Sequence, residues 1–201
     1  LGIGKGDLVV TTPFSFVASS HCILYVGAKP VFVDIDPKTA NLDPAKVEAK
    51  IKELSRSKAT RKKLKAILAV DVFGHPADWV SLEKIARRHN LRLIEDSCEA
   101  SGSKLKYRGR WRNAGTFGDA SVFSFAHNKQ LTTGEGGVLL TDSKDIFNHA
   151  RSLRLYGKEG GSITHDYTRL GYNYHMSDIQ AALGTAQILR AKEIFSKLSR
   201  V

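Results

Sequence analysis

Short runs of aliphatic and β-branched residues alternate along this chain with stretches whose apolar positions recur every three to four residues. The runs DLVVTT (7–12), PVFVDID (30–36), KAILAVDVF (65–73), LRLIED (91–96), ASVFSF (120–125) and GVLLTD (137–142) predict strands. Between them, FVASSHCILYVG (16–27) predicts a helix closed by Gly27. DPAKVEAKIKEL (43–54) predicts one with Asp43 as N-cap and Pro44 at the first helical position. SLEKIARRHN (81–90) predicts an amphipathic helix capped by Ser81, with Glu83 in its first turn, and the stretch 177–201 one long helix opened by Ser177. KAILAVDVF is apolar on both faces, as a buried parallel strand should be. The order therefore predicts an α/β fold, a mostly parallel sheet flanked by helices. In such sheets ligands gather at the carboxyl ends of the strands, where Asp96 and Lys129 both fall.

Composition narrows this picture without redirecting it. With 201 residues and 42% apolar content the chain can build one well-packed domain, or a domain and part of a second. No apolar run approaches the ~20 residues that cross a bilayer, and no basic segment followed by an apolar one reads as a signal peptide. Cys22 and Cys98 cannot make a disulfide framework, and neither has metal-ligand spacing, so a reducing cytoplasm is expected. Leu1 stands directly before a strand, and the last helix runs off the end. Both are read as marks of a fragment or a processed product.

The net charge of +11 raises nucleic acid as a partner. Residues 46–65 hold nine Lys or Arg against two Glu, so most of the surplus belongs to one helix and the loop after it. No aromatic residue interleaves with these charges as a single-strand groove requires. The run is read as a solvated face.

Lys129 carries the chemistry. It lies between strand-like VFSF and the turn TTGEGG, beside Phe123 and Phe125. Apolar surroundings favour the neutral, nucleophilic amine that condenses with carbonyls. Pyridoxal 5'-phosphate (PLP) is the commonest such partner, and it needs an acid under its pyridine nitrogen, a slab against its ring and donors for its phosphate. Strand period two sends Glu95 and Asp96 of LIEDSCEA to opposite faces, with Asp96 arriving at the carboxyl edge. An Asx turn after the strand is the plain alternative for Asp96. Phe14 and Phe16 offer one ring for the crevice and one for the core, and Ser124 can donate to a phosphate. His75, His127 and His175 read as loop residues, Cys98 as a small buried hydrophobe. In the RGRWRNAG loop, Trp111 can meet substrate or pack, and Arg110 and Arg112 match a diphosphate in charge.

Five blocks taken in order, SFVASSHCILYVGAKPVFVDID, AVDVFGHPADW, LIEDSCEASGS, RGRWRNAGTFGDASVFSFAHNKQLTTGEGGVLLT and LGYNYHMSDIQAALGTAQ, resemble the sugar-nucleotide aminotransferases of the DegT and StrS group. The likeness implies the large domain of a fold-type I PLP enzyme over 1–190, with 191–201 a linker helix toward a small C-terminal domain. It implies Lys129 as the lysine that binds PLP as a Schiff base and later moves the proton. Asp96 is then the partner of the pyridine nitrogen, Phe16 the stacking aromatic, and Ser124 a phosphate ligand. Asn173 is implied to reach the cofactor phosphate of the neighbouring subunit, hence a homodimer with shared sites; Phe14 is left to the core. Glu99 stands where members often carry Gln or His near the PLP phenolate. The family's Ser-Gly-Thr phosphate turn precedes the first strand present here. The implied reaction takes an amino group, expected from glutamate, to a nucleotide-linked keto sugar, in surface glycan, lipopolysaccharide or deoxysugar synthesis. The dehydratase branch carries histidine in place of the lysine, so Lys129 argues against it. A non-catalytic binding module that kept the fold is the remaining alternative.

Overall fold

The computed structural model describes residues 1–159 and 166–199, which divide into a unit spanning Leu1–Phe123 and a second spanning Ser124–Val201. In the first, β1 (Leu8–Thr11), β2 (Lys29–Phe32), β3 (Leu64–Val70), β4 (Arg92–Asp96) and β7 (Ala120–Ser124, its last residue opening the second unit) pair in parallel, in the order β2-β1-β3-β4-β7. α1 (Ala18–Tyr25), α2 (Pro44–Ser55), the short α3 (Lys58–Lys63) and α4 (Trp79–His89) connect them. The expected α/β architecture is thus present.

Alternation along the strands builds two cores. On one face Val10, Ile67 and Leu93 pack with Val47 and Ile51 of α2 and with Trp79, Leu82 and Ile85 of α4. On the other, Val9, Ala66, Leu68 and Val70 pack with Ile23 of α1. Each fully buried aliphatic side chain contributes roughly 1.5–3 kcal/mol, so β3, with six of seven residues buried, anchors both layers. Because α1 lies on one face and α2 and α4 on the other, strand order reverses between β1 and β3. Their carboxyl ends flank the point where such sheets bind ligands.

Several local expectations hold at the level of single bonds. Asp43 accepts the N–H groups of Ala45 and Lys46, and Gly27 closes α1 at φ +74°. Others are corrected. α4 starts at Trp79, with Asp78 and not Ser81 as its cap; Asp78 Oδ1 accepts the Ser81 N–H at 3.0 Å, and Trp79 is buried with the first turn. The loop after α2 is the helix α3. RGRWRNAG is not a loop but half of a hairpin, β5 (Lys104–Tyr107) and β6 (Arg110–Asn113), turned by Arg108 and Gly109 at φ +48° and +82° as a two-residue turn requires.

The second unit contains β8 (Gly137–Leu140), α5 (Lys144–Arg154), α6 (Asp178–Leu189) and α7 (Ala191–Leu198). The helix expected over 177–201 opens at a capping box between Ser177 and Gln180 but breaks at Arg190, where φ −100° and ψ 5° end α6. The Arg190 guanidinium then pairs with Glu193 in the first turn of α7. Residues 200 and 201 of that stretch lie outside the described residues.

Candidate active site

Asp96 ends β4 half-buried, while its neighbour Glu95 is fully buried, so the two carboxylates do leave the strand on opposite faces. Ser19 Oγ donates to Asp96 Oδ2 at 2.7 Å, and the Cys98 N–H donates to Oδ1 at 3.2 Å. The Asx turn therefore exists and occupies one oxygen only partly. Ser15 Oγ lies 2.9 Å from Ser19 Oγ and extends the chain of hydroxyls. Cys22 sits close by; burial and then the Asp96 charge push its thiol upward.

Phe16, just ahead of α1, is 79% exposed and offers an uncovered ring face. Phe14 is not the core residue expected: it is 43% exposed and meets Phe73 edge-on, ring centroids 6.0 Å apart. Its partner lies beyond β3. Phe73 is held at φ +54°, a conformation that an aromatic residue seldom adopts, and its ring is thrown outward over the β1 loop. Two anchors set it there. Glu99 Oε2 accepts the Phe73 N–H at 2.8 Å, and Asn41 bridges the turn through the Val72 N–H (3.0 Å) and the His75 carbonyl (2.9 Å). Glu99 is thus committed through one oxygen to the loop after β3, at the β1/β3 reversal.

Behind the strand ends lies a buried polar network that sequence reasoning missed. Glu95 faces five donors: the N–H groups of Gly115, Phe117 and Gly118 and the hydroxyls of Ser97 and Ser121. Ser97 Oγ also lies 2.7 Å from Asp71 Oδ2, whose other oxygen accepts the Ala77 N–H and Trp79 Nε1–H, both at 2.9 Å. Ser97 has one proton for two carboxylates. Burial pushes Asp71 up to about 7, and the neighbouring Glu95 charge adds to this. A proton on Asp71 lets it donate to Ser97, which in turn donates to Glu95. The signal available in the sequence was the apolar frame around Asp71 in AILAVDVF, which marks a carboxylate inside the sheet.

In the second unit, the loop from Phe125 to Gly136 holds Lys129. The Phe125 N–H donates to the Gly136 carbonyl at 2.8 Å, and the Thr133 N–H donates to the Phe125 carbonyl at 2.9 Å. These bonds close the loop at its base. Lys129 is half-buried, and its N–H donates to the Ala126 carbonyl at 3.1 Å. Ser124, half-buried, accepts the Ala126 N–H at 3.2 Å on its hydroxyl. Gln180 of α6 steadies the turn by donating to the Glu135 carbonyl at 3.0 Å. Gly136 has φ +151°, and a Cβ there would lie 2.7 Å from Thr133 Oγ1 and 2.9 Å from Met176. Asn173 is exposed, and Tyr156 Oη donates to its Oδ1 at 2.9 Å; His175 lies 3.3 Å from the same hydroxyl.

The hairpin residues fall into two groups. Trp111 is 69% exposed and does not pack. Arg112 lies over the rings of Tyr107 and Phe117, 4.9 Å from each, and donates to the Thr116 carbonyl, which commits it to structure. Arg110 stays exposed. His127 is exposed, and Cys98 is half-buried with its sulfur 3.9 Å from the Val122 carbonyl, less enclosed than expected. No group of three or more metal-ligating side chains occurs among the described residues.

The model of the DegT/DnrJ/EryC1/StrS aminotransferase family matches residues 1–200. GDP-perosamine synthases from Caulobacter vibrioides and Escherichia coli O157:H7 are 41% and 40% identical to it over 201 and 199 residues. The alignments take in 100% and 98% of this chain and 50% of each relative, so the chain spans about half the length of the curated relatives it matches. The crystal structure of a DegT DnrJ EryC1 StrS aminotransferase from Brucella abortus superposes with a TM-score of 0.87 at 33% identity, over 96% of this chain and 50% of that one. The chain therefore belongs to the DegT/DnrJ/EryC1/StrS aminotransferase family.

Proposed function

We propose that this chain serves a PLP-dependent aminotransferase that passes an amino group from an amino acid, glutamate, to a keto sugar carried on a nucleoside diphosphate, in the cytoplasm. The observation that carries the reading is Asp96: a half-buried carboxylate fixed by two donors at the carboxyl edge of a parallel sheet, in a chain of this family. The perosamine synthases among the relatives support a GDP-linked sugar.

The residues present fit PLP. Asp96 keeps lone pairs beyond its contacts with Ser19 and Cys98, Phe16 is 79% exposed, and Ser124 ends β7 directly before the closed loop that holds Lys129. When bound, PLP supplies an aldehyde for amines and an electron-accepting ring. The protein does the rest. Lys129 holds the cofactor and moves the proton at the substrate carbon; Asp96 keeps the ring nitrogen protonated; Phe16 excludes water from one ring face. Ser124 would donate to the phosphate, Asn173 would reach that of the partner's cofactor, and Glu99, anchored on the Phe73 amide, would serve the phenolate side.

A homodimer accompanies this reading. Leu170, Ile179 and Leu189 of the second unit are more than four-fifths exposed, as is apolar surface that meets another subunit. No helix among the described residues is long and apolar enough to cross a membrane.

The test is reduction with borohydride. Full-length protein with PLP should show a band at the visible edge that borohydride bleaches, leaving a pyridoxyl mass on the peptide containing Lys129; Lys129→Ala should lack both. The reading is abandoned if no band forms or the mass maps elsewhere. Amine transfer to a GDP-linked keto sugar, followed by mass spectrometry, then checks the substrate class.

A further inference from the structure

Asp96 is gripped from behind by the buried network. Glu95 and Ser97, the residues on either side of it, are fully buried, and Ser97 Oγ lies 2.9 Å from Glu95 Oε1. With a period of two, both side chains leave the chain on the face that Asp96 does not use. The peptide joining Asp96 to Ser97 is held on both sides as well. The Asp96 carbonyl accepts the Asp71 N–H at 2.9 Å, and the Ser97 N–H donates to the Val122 carbonyl at 3.0 Å. Asp71 thus takes hold of this segment twice, through its amide and through Oδ2 against Ser97 Oγ.

Covering α4 does not call for these groups. Apolar side chains at 71, 95 and 97 would pack there without the cost of taking carboxylates out of water. What a hydrogen-bonded set adds is one fixed arrangement, because each donor and acceptor has a direction and a partner. The partners come from separate segments: Ala77 and Trp79 at the start of α4 on Asp71, and the amides of Gly115, Phe117 and Gly118 with the Ser121 hydroxyl on Glu95. Gly118 is fitted to this cradle, since a Cβ there would lie 2.9 Å from the Leu93 carbonyl oxygen and 3.1 Å from the Glu95 nitrogen. Asp96 sits where these segments converge.

We infer that Glu95, Ser97 and Asp71 are positioning residues for Asp96: they lock the backbone on both sides of it, so that its carboxylate leaves the strand end in one direction. Ser19 then fixes one carboxylate oxygen from the opposite face. The inference rests on the proposed role of Asp96 toward the ring nitrogen of PLP, a contact that tolerates a misplacement of only about 0.5 Å. Ser97 is the joint of the device, because its hydroxyl lies against both buried carboxylates and its amide follows Asp96 directly.

Carbon-13 resonances of the aspartate carboxyls in full-length protein without PLP, together with PLP affinity from equilibrium dialysis, test this. Ser97→Ala should move the Asp96 carboxyl resonance and weaken PLP binding about 10-fold. Asp71→Asn, which keeps the acceptor for Trp79 and a donor for Ser97, should leave that resonance in place and the affinity within about 2-fold. Leu82→Ala, in the same core, destabilises the fold through a cavity and should move neither readout. Should Ser97→Ala not fold, Ser121→Ala, which removes one donor to Glu95, is expected to move the same resonance. An Asp96 resonance that stays in place in the serine variant, or that moves as far in Leu82→Ala, overturns the inference. A resonance that responds as expected in a parent that binds no PLP upholds the positioning and sinks the proposed function instead.

Discussion

Ser19 Oγ stands 2.7 Å from Asp96 Oδ2 across 77 residues of sequence, tying the first turn of α1 to the end of β4. The bond aims a carboxylate that would otherwise turn with its loop, and it does so from a helix rooted in the sheet through Ile23. Ser19 is itself buried, so its hydroxyl has no water to replace this partner.

Ser19→Ala should therefore cost about 1.5–3 kcal/mol of stability, the usual loss for one hydrogen bond to a charged group. If Asp96 acts on PLP, the same variant should weaken cofactor binding about 10-fold while Ser19→Thr restores part of it. Denaturant melts and absorbance titrations with PLP separate the two effects. Unchanged cofactor affinity would leave Ser19 a purely structural residue.

Asp71 gives the protein a pH dependence opposite in sign to that of ordinary carboxylates. Its folded value is raised from 3.8 to about 7, so the native state holds a proton that the unfolded chain has released. The stabilisation is complete below the unfolded value and is lost as pH rises from near 4 through 7, with a slope of about 1.4 kcal/mol per unit. Asp71→Asn keeps an acceptor for Ala77 and Trp79 and a donor for Ser97. It should fold, and the difference in unfolding free energy between variant and parent should change across that window. Parallel pH profiles for the two proteins would mean that Asp71 carries no proton in the folded state.

Gly136→Ala is expected to open the base of the Lys129 loop. The added methyl meets Thr133 Oγ1, already bound to the Glu135 carbonyl at 2.7 Å, and needs a φ that alanine rarely adopts. A loss of roughly 1–3 kcal/mol follows from strain of this kind. Hydrogen exchange at the Phe125 and Thr133 amides should accelerate, because both close the loop. Retained protection would show that the loop absorbs the methyl.

Tyr156→Phe removes the donor to Asn173 Oδ1 and, with Tyr156 exposed, should shift stability by less than ~0.5 kcal/mol. On the proposed dimer it should weaken PLP binding several-fold by freeing the Asn173 amide to rotate. Equilibrium dialysis with PLP measures this. An equal effect from Tyr174→Phe, which makes no bond to Asn173, would point to general loosening instead.

Whatever depends on neighbours in the chain was determined by the sequence. The parallel strands follow from short apolar and β-branched runs, the caps at Asp43 and Ser177 from donors two or three residues on, and the divergence of Glu95 and Asp96 from the pleat, whereas the β5–β6 hairpin carries no such run. The residues of Lys129's loop are legible in the same way. What joins distant segments was decided only by the fold. Ser19 finds Asp96, Glu99 finds Phe73, and Glu95 collects donors from residues 97 to 121 only once the parallel strands are in register. Phe14 meets Phe73 edge-on only because the segments that follow β1 and β3 lie side by side once those strands pair. The physical reason is that periodicity reports which way a side chain leaves its own backbone, whereas a site is made of side chains from different strands. Their distances are set by sheet pairing and helix packing, which no single stretch of sequence contains.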